Sequence, residues 1–177
     1  AGLLQPGADD VAEPASWRDR EVANRYAAAF QDADVAALVA LLRADVTAEM
    51  PPMREWFRGA QAVGRFLAAR VLTEPGHCTL IPVEANGQPA FGTYLRAGDG
   101  AWEAHAIQVL DIADGPLPPA GAAPRQIARI SLFLDTGRFP AFGLPLALPL
   151  AASSAPLPPS PVLSAPRPSR PAPSLRD

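Results

Sequence analysis

Half of the prolines in this chain crowd into its last stretch: eleven of 22 lie between Pro140 and Pro173. Proline has no backbone N–H to donate and its φ is locked, so a proline-dense segment sustains neither a helix interior nor a central strand. After Pro145 the chain is Pro, Ala, Ser and Leu with few charges, which buries too little apolar surface to offset its ordering entropy. Residues 144–177 are therefore expected to be extended or disordered, and 146–177 unnecessary for folding. A second cluster, Pro116 to Pro124, reads as an insertion between two strands. Residues 1–15, with Gly2, Pro6, Gly7, Asp9, Asp10 and Pro14, read as a lead or linker. The foldable part is 16–143, enough for one domain.

Within 16–143 the periodicity changes once. Ser16 can cap a helix over Trp17 to Gln31, with Trp17, Val22, Tyr26 and Phe30 approximating one stripe. Asp34 caps a second helix that carries Val35, Leu38, Val39, Leu41 and Leu42. A short strand follows at Val46 to Met50, stopped by Pro51-Pro52. A third helix is expected over Ala60 to Val71, with Val63, Phe66, Leu67 and Val71 inward. Four strands then come in succession: Thr79–Ala85, Ala90–Arg96, Trp102–Ile112 and Ile127–Asp135. Asn86-Gly87 and Gly98-Asp99-Gly100 suit the turns between them. Helices first and consecutive strands afterwards imply α+β, with three N-terminal helices packed on a mainly antiparallel sheet.

The formal charge is −3, and all 15 basic residues are arginines scattered along the chain. That argues against a nucleic-acid surface, which needs clustered positive charge. The single cysteine, Cys78, excludes an internal disulfide. No run approaches the length of a membrane span, and no signal peptide is visible, so a cytoplasmic protein is expected.

The order of elements, together with Arg25-Tyr26, Asp34, Leu38-Val39-Ala40-Leu41-Leu42 and Ala48-Glu49-Met50-Pro51, resembles the SnoaL-like and ketosteroid-isomerase-like superfamily over residues 17–137. That superfamily, related to the nuclear transport factor two and cystatin-like folds, implies a cone: a curved sheet wrapped around helices. A narrower likeness lies in Glu49-Met50-Pro51-Pro52, Trp56-Phe57-Arg58-Gly59, Asn86-Gly87-Gln88-Pro89-Ala90, His105-Ala106-Ile107-Gln108-Val109-Leu110 and Phe142-Gly143-Leu144-Pro145. These resemble the SnoaL-like domain at the C-terminus of extracytoplasmic-function sigma factors. That resemblance implies a regulatory domain whose partners are the helical sigma domains or RNA polymerase in a longer chain.

Ketosteroid isomerases pair a carboxylate base with a Tyr and a protonated Asp as oxyanion donors. By the resemblance Tyr26 matches the Tyr, the base position falls at Met50, and the second donor falls near Gln108. Met50 cannot accept a proton, so no catalytic residue is assigned. Tyr26 is read first as a core aromatic with a satisfied hydroxyl. Glu49 should point to the opposite strand face from Met50. His105 is one residue out of register with Gln108 and should face away from the cavity, as a structural histidine rather than a base. His77-Cys78 are adjacent and make a poor metal pair; no metal and no cofactor are expected.

By the resemblance, Arg129, Ser131, Phe133 and Asp135 on the last strand face the cone interior. Arg129 there needs an anionic partner, or else sits solvated at the rim. Trp56 and Phe57 form either an aromatic lid or plain packing. The expected ligand pocket is Tyr26, Met50, Trp56, Phe66, Gln108, Arg129 and Phe133, mostly apolar and suited to a small apolar ligand. The opposite face then exposes Ile107, Val109, Ile130, Leu132 and Leu134. So large an apolar patch needs a cover: a second copy, giving a homodimer of the isolated chain, or the sigma domains. Three functions follow: a regulatory sigma-factor domain without catalysis, a small polyketide-cyclase-like or isomerase-like enzyme acting on a hydrophobic substrate, or a plain binding module.

Overall fold

Ser16 opens the first helix with a reciprocal cap: its side chain accepts from the Asp19 N–H, while the Asp19 carboxylate accepts from the Ser16 N–H. The computed structural model describes residues 16–52, 56–117 and 121–149. The expected lead at 1–15 and the tail from 150 onward lie outside the described residues. Helix α1 spans Trp17–Gln31, and α2 spans Val35–Leu41 with Asp34 as its cap. The inner stripe of α1 is Val22, Ala23, Tyr26, Ala29 and Phe30. Trp17, expected on that stripe, is 69 % exposed. Five residues separate it from Val22, and a helix face repeats at three or four.

Asp19 completes the stripe instead. The Arg125 side chain donates to it at 2.7 Å, to the Ile112 carbonyl at 2.8 Å and to Asp114 at 3.2 Å. Burial raises the Asp19 carboxyl, but the hydrogen bonds from Arg125 and Ser16 outweigh it and hold it below its ordinary value. This cluster ties the start of α1 to the sheet.

The remaining elements are β1 (Leu42–Glu49), β2 (Trp56–Arg58), α3 (Ala60–Arg70), β3 (Cys78–Ala85), β4 (Gln88–Arg96), β5 (Trp102–Asp114), β6 (Arg125–Phe133), a 3-10 helix (Thr136–Phe142) and β7 (Ala147–Leu148). The strand order is β2-β1-β6-β5-β4-β3, with β7 added to β5. Pairs are antiparallel except β1 with β6, which run parallel. The result is an open, curved α+β cone. The hairpin between β3 and β4 turns at Asn86 and Gly87, both at positive φ (51° and 76°), as a two-residue type I′ loop requires.

One face of the sheet packs on the helices. Tyr26, Phe30, Leu38, Val46, Met50, Leu67, Phe91, Leu110, Ile127 and Ile130 belong to this core. The sequence reading turned Arg129, Ser131 and Phe133 toward it; the structure reverses that strand. Leu132 lies opposite Gln108, and Ile130 lies opposite Leu110. Opposed residues share a face, so Ile130 (1 % exposed) and Leu132 (6 %) are core, while Arg129 is exposed. A bulge contributes: Asp111 pairs with Arg129 but Ile112 pairs with Ile127. The extra residue, Ala128, lets Ile127 and Ile130 point the same way although three apart. Burying three branched apolar side chains outweighs burying an arginine that would need a partner.

The expected apolar outer patch therefore does not form. Of its five residues Ile130 and Leu132 are core, and Leu134 lines a cleft beside α3. Ile107 and Val109 do face outward, but the chain covers them itself. After β6 it crosses the outer face, packing Phe139 and Leu144 with Tyr94, Trp102 and Ile107. Gly92 makes room for this: a Cβ there would collide with the Leu144 side chain. The Tyr94 hydroxyl donates to the Pro145 carbonyl at 2.8 Å, the Ala104 N–H donates to the Leu146 carbonyl at 2.9 Å, and Leu148 pairs with Trp102. Residues 144–148, expected to be extended or disordered, are a packed strap. The argument for a dimer through this face loses its basis. Among the described residues no helix is long and apolar enough to cross a membrane.

Candidate functional site

Two polar groups from the expected pocket do meet inside the cone. The Tyr26 hydroxyl donates to Gln108 Oε1 at 2.6 Å, and Gln108 Nε2 donates to Thr93 Oγ1 at 2.8 Å. Tyr26, Gln108 and Thr93 are each at most 1 % exposed. Phe30 and Phe91 flank the Tyr26 ring at 5.6 and 6.2 Å between centroids. Burial, with a smaller contribution from Cys78, pushes the Tyr26 hydroxyl well above its ordinary value. It is a fixed donor, and its proton is already committed to Gln108. The chain Tyr26–Gln108–Thr93 is thus a satisfied core network. Gln108→Leu, which strands both hydroxyls, is expected to cost about 2–4 kcal/mol. Adding Tyr26→Phe and Thr93→Val should recover most of that loss. Urea unfolding of the single and triple variants checks this; a triple variant no more stable than the single would mean that shape, not polar satisfaction, sets the cost.

The open space lies elsewhere, at the mouth of the cone, as a cleft of about 1090 Å³. The end of β1 supplies Met50, and β2 supplies Trp56 and Phe57. Helix α3 supplies Ala62, Arg65, Phe66, Ala69 and Arg70, with Val71 just beyond it. The sheet supplies His105, Leu132 and Leu134. Phe57 and Phe66 stack with centroids 4.2 Å apart, while Trp56 is 68 % exposed.

His105 reaches this cleft through a second bulge. Thr93 pairs with Ala106 and Tyr94 with Ala104, which leaves His105 as the extra residue. A strict alternation would send it to the outer face; the bulge turns it onto the face of Gln108. Burial pushes its imidazole below the ordinary value, so it is neutral at pH 7.

Of the seven residues expected to form the pocket, Met50, Trp56 and Phe66 line the cleft. Tyr26 and Gln108 are sealed in the core, and Arg129 and Phe133 lie on the outer side of β6. The Arg138 guanidinium sits 5.9 Å over the Phe133 ring there. Glu49 accepts from the Ser131 hydroxyl at 2.8 Å and does not line the cleft, and Asp135 caps the 3-10 helix through the Gly137 N–H. Phe57, weighed beforehand as lid or packing, also lines it, and the cleft residues outside the expected pocket are Ala62, Arg65, Ala69, Arg70, Val71, His105, Leu132 and Leu134. The α3 residues had a signal: 62, 65, 66 and 69 recur at helical spacing beside the core stripe. His105 had none, because no residue type marks this bulge.

Cys78 is buried, with its thiol 3.6 Å from the Phe30 carbonyl and pushed up to about 11 by burial. Among the described residues no three His, Cys, Asp or Glu side chains gather as a metal site.

Comparison with known proteins agrees with this geometry. Two strains of Mycobacterium tuberculosis carry an ECF RNA polymerase sigma factor, SigG, that is 37 % identical over 139 residues. The match takes in 78 % of this chain but 35 % of SigG, so the chain spans about a third of the length of these relatives. Among solved structures, a de novo designed protein with a curved β-sheet is similar at TM-score 0.52 (15 % identity, 73 % of this chain and 94 % of that one). An NTF-2 like protein of unknown function from Burkholderia xenovorans LB400 is similar at TM-score 0.50 (12 % identity, 65 % and 80 %). At these identities the structures speak for the fold alone. Residues 23–117, more than half of the chain, match the SnoaL-like domain family, and with the cone, its helical lining and its mouth in place, this chain belongs to that family.

Proposed function

We propose that this chain is a non-catalytic, ligand-binding SnoaL-like module that tunes a sigma factor and so controls transcription initiation in the cytoplasm. One observation carries the non-catalytic part. The hydroxyl that would stabilise an oxyanion, on Tyr26, is spent on Gln108 inside the core, and the position that would hold the base is Met50. The likeness to SigG supports the regulatory part. The partners are then the helical sigma domains or RNA polymerase, and the cleft is where a small molecule would act.

Run-off transcription tests this reading. The full-length product of the gene encoding this chain is compared with the same product ending before Ser16. A several-fold change in transcript yield, in either direction, is expected. Equal yields, or a gene without helical sigma domains upstream, overturn the reading.

The alternative is a small polyketide-cyclase-like or isomerase-like enzyme. One observation favours it: the bulge sets a neutral His105 in the cleft, where it has the protonation state of a general base. A ketosteroid substrate separates the two. No double-bond isomerisation above the buffer rate is expected from the unmodified chain. None is expected from Met50→Asp either, because Tyr26 has no free proton to offer. Turnover by the unmodified chain that His105→Ala abolishes would establish the enzyme.

A further inference from the structure

The charge of the cleft runs against the charge of the chain. The chain as a whole is formally −3, yet the charged residues lining the cleft among the described residues are Arg65 and Arg70. Both are exposed at its rim on α3. Arg65 and Arg70, like Arg18, Arg25, Arg58, Arg96 and Arg129, have no carboxylate partner among the described residues, and what sets these two apart is that they line the cleft. Arg70 lies in the last turn of α3, where a cation offsets the helix dipole without any ligand. Arg65 is mid-helix, and that explanation does not reach it.

Below this rim the walls are aromatic. Trp56 stands largely in water although the stacked Phe57–Phe66 pair beside it offers an apolar surface. A concave, aromatic-lined space with few polar groups is the usual form of a small-molecule site, and about 1090 Å³ exceeds what a bicyclic ring system needs. The polar group on the sheet side is the half-buried His105, which lines the cleft. The site therefore offers an apolar slot, a neutral hydrogen-bonding imidazole and two cations.

We propose that the cleft binds an aromatic carboxylate, its ring system on the Phe57–Phe66 pair beside Trp56 and its anionic group at the α3 rim, on Arg65 or Arg70. This rests on the reading of the cleft as a ligand site and narrows it from an apolar ligand to an amphipathic anion. A carboxylate is the group that a rim guanidinium holds with charge-assisted, bidentate hydrogen bonds, and the second arginine, five residues away on α3, adds positive field. A neutral apolar ligand would leave both arginines idle, and a cation would be repelled.

The test compares two probes of the same shape, the anionic 2-naphthoate and the neutral 2-naphthamide, titrated by calorimetry into the whole chain. The carboxylate should bind at least about tenfold tighter than the amide, the size expected for hydrogen bonds to a charged group. Arg65→Gln with Arg70→Gln should erase that ratio and leave amide binding unchanged. Trp56→Ala should weaken both probes. Arg18→Gln with Arg20→Gln, which removes the same charge away from the cleft, should leave the ratio intact. Equal affinity for the two probes overturns the proposal. So does saturation by neither below about 5 mM, or loss of the ratio in the Arg18/Arg20 control. A ratio lost on Arg65/Arg70 replacement only when helical sigma domains are present, with no probe bound by the chain alone, would assign the arginines to a protein partner and overturn it too. Charge-selective binding without any effect on transcript yield leaves this proposal standing and removes the regulatory reading; the converse outcome does the reverse.

Discussion

Ile130→Asp is expected to abolish the native fold, whereas Arg129→Gln, one residue earlier on the same strand, leaves stability within about 0.5 kcal/mol. Ile130 is 1 % exposed, between the sheet and the helices, opposite Leu110. A carboxyl placed there either stays ionised at prohibitive cost or takes up a proton. Raising its pKa by several units costs about 4 kcal/mol or more at pH 7. Losing the isoleucine packing adds about 2–4 kcal/mol. Together these consume most of the roughly 5–15 kcal/mol that holds a domain of this size. Circular dichroism and thermal melting of both variants decide it. A folded Ile130→Asp beside a strongly destabilised Arg129→Gln would mean that β6 presents the other face to the helices, as the sequence alone suggested.

A chain ending at Gly143 is expected to melt on the order of 10 °C below one ending at Pro149, because the strap is part of the core. Six residues separate the two ends. They carry the buried Leu144, the Pro145 carbonyl that satisfies Tyr94, the Leu146 carbonyl that accepts from Ala104, and the β7 pairing with Trp102 and Glu103. Losing the Leu144 side chain costs about 2–3 kcal/mol, and the stranded polar groups about 1 kcal/mol more. The outer faces of Ile107 and Tyr94 then open to water, so the shorter chain should also self-associate in sedimentation experiments. Equal melting temperatures would mean that the strap lies on the sheet without holding it. Gly92→Val gives an independent check, since its side chain would occupy the place of Leu144 and lower the melting temperature of the longer chain.

Local chemistry made much of the cone legible. Ser16 and Asp34 announce helix starts through their own side chains, Asn86-Gly87 announces a hairpin through its backbone freedom, and the long apolar alternations announce β3 to β6. The family likeness was legible for the same reason: it rests on short motifs at turns and element ends, which the chain carries locally. Met50 lies at the cleft, whereas Gln108, expected beside it in the pocket, is sealed within the core.

Which way β6 faces was a different kind of question. Its alternation offers two faces, Arg129-Ser131-Phe133 and Ile130-Leu132-Leu134, and only the partner strand and the helices beyond it choose between them. The bulges at His105 and Ala128 shift the alternation by one residue, and a one-residue shift exchanges the faces of everything beyond it. No residue type demands either bulge; they arise from the register of neighbouring strands. Likewise the strap at 144–148 looks like the rest of the proline-rich tail until Gly92, far away in sequence, provides the room that Leu144 fills. Element type was determined by the sequence because capping, turn and pattern energies act within a few residues. The cleft, with His105 inside it and Arg129 outside, was decided by tertiary structure, because it depends on strand register and on contacts between residues distant along the chain.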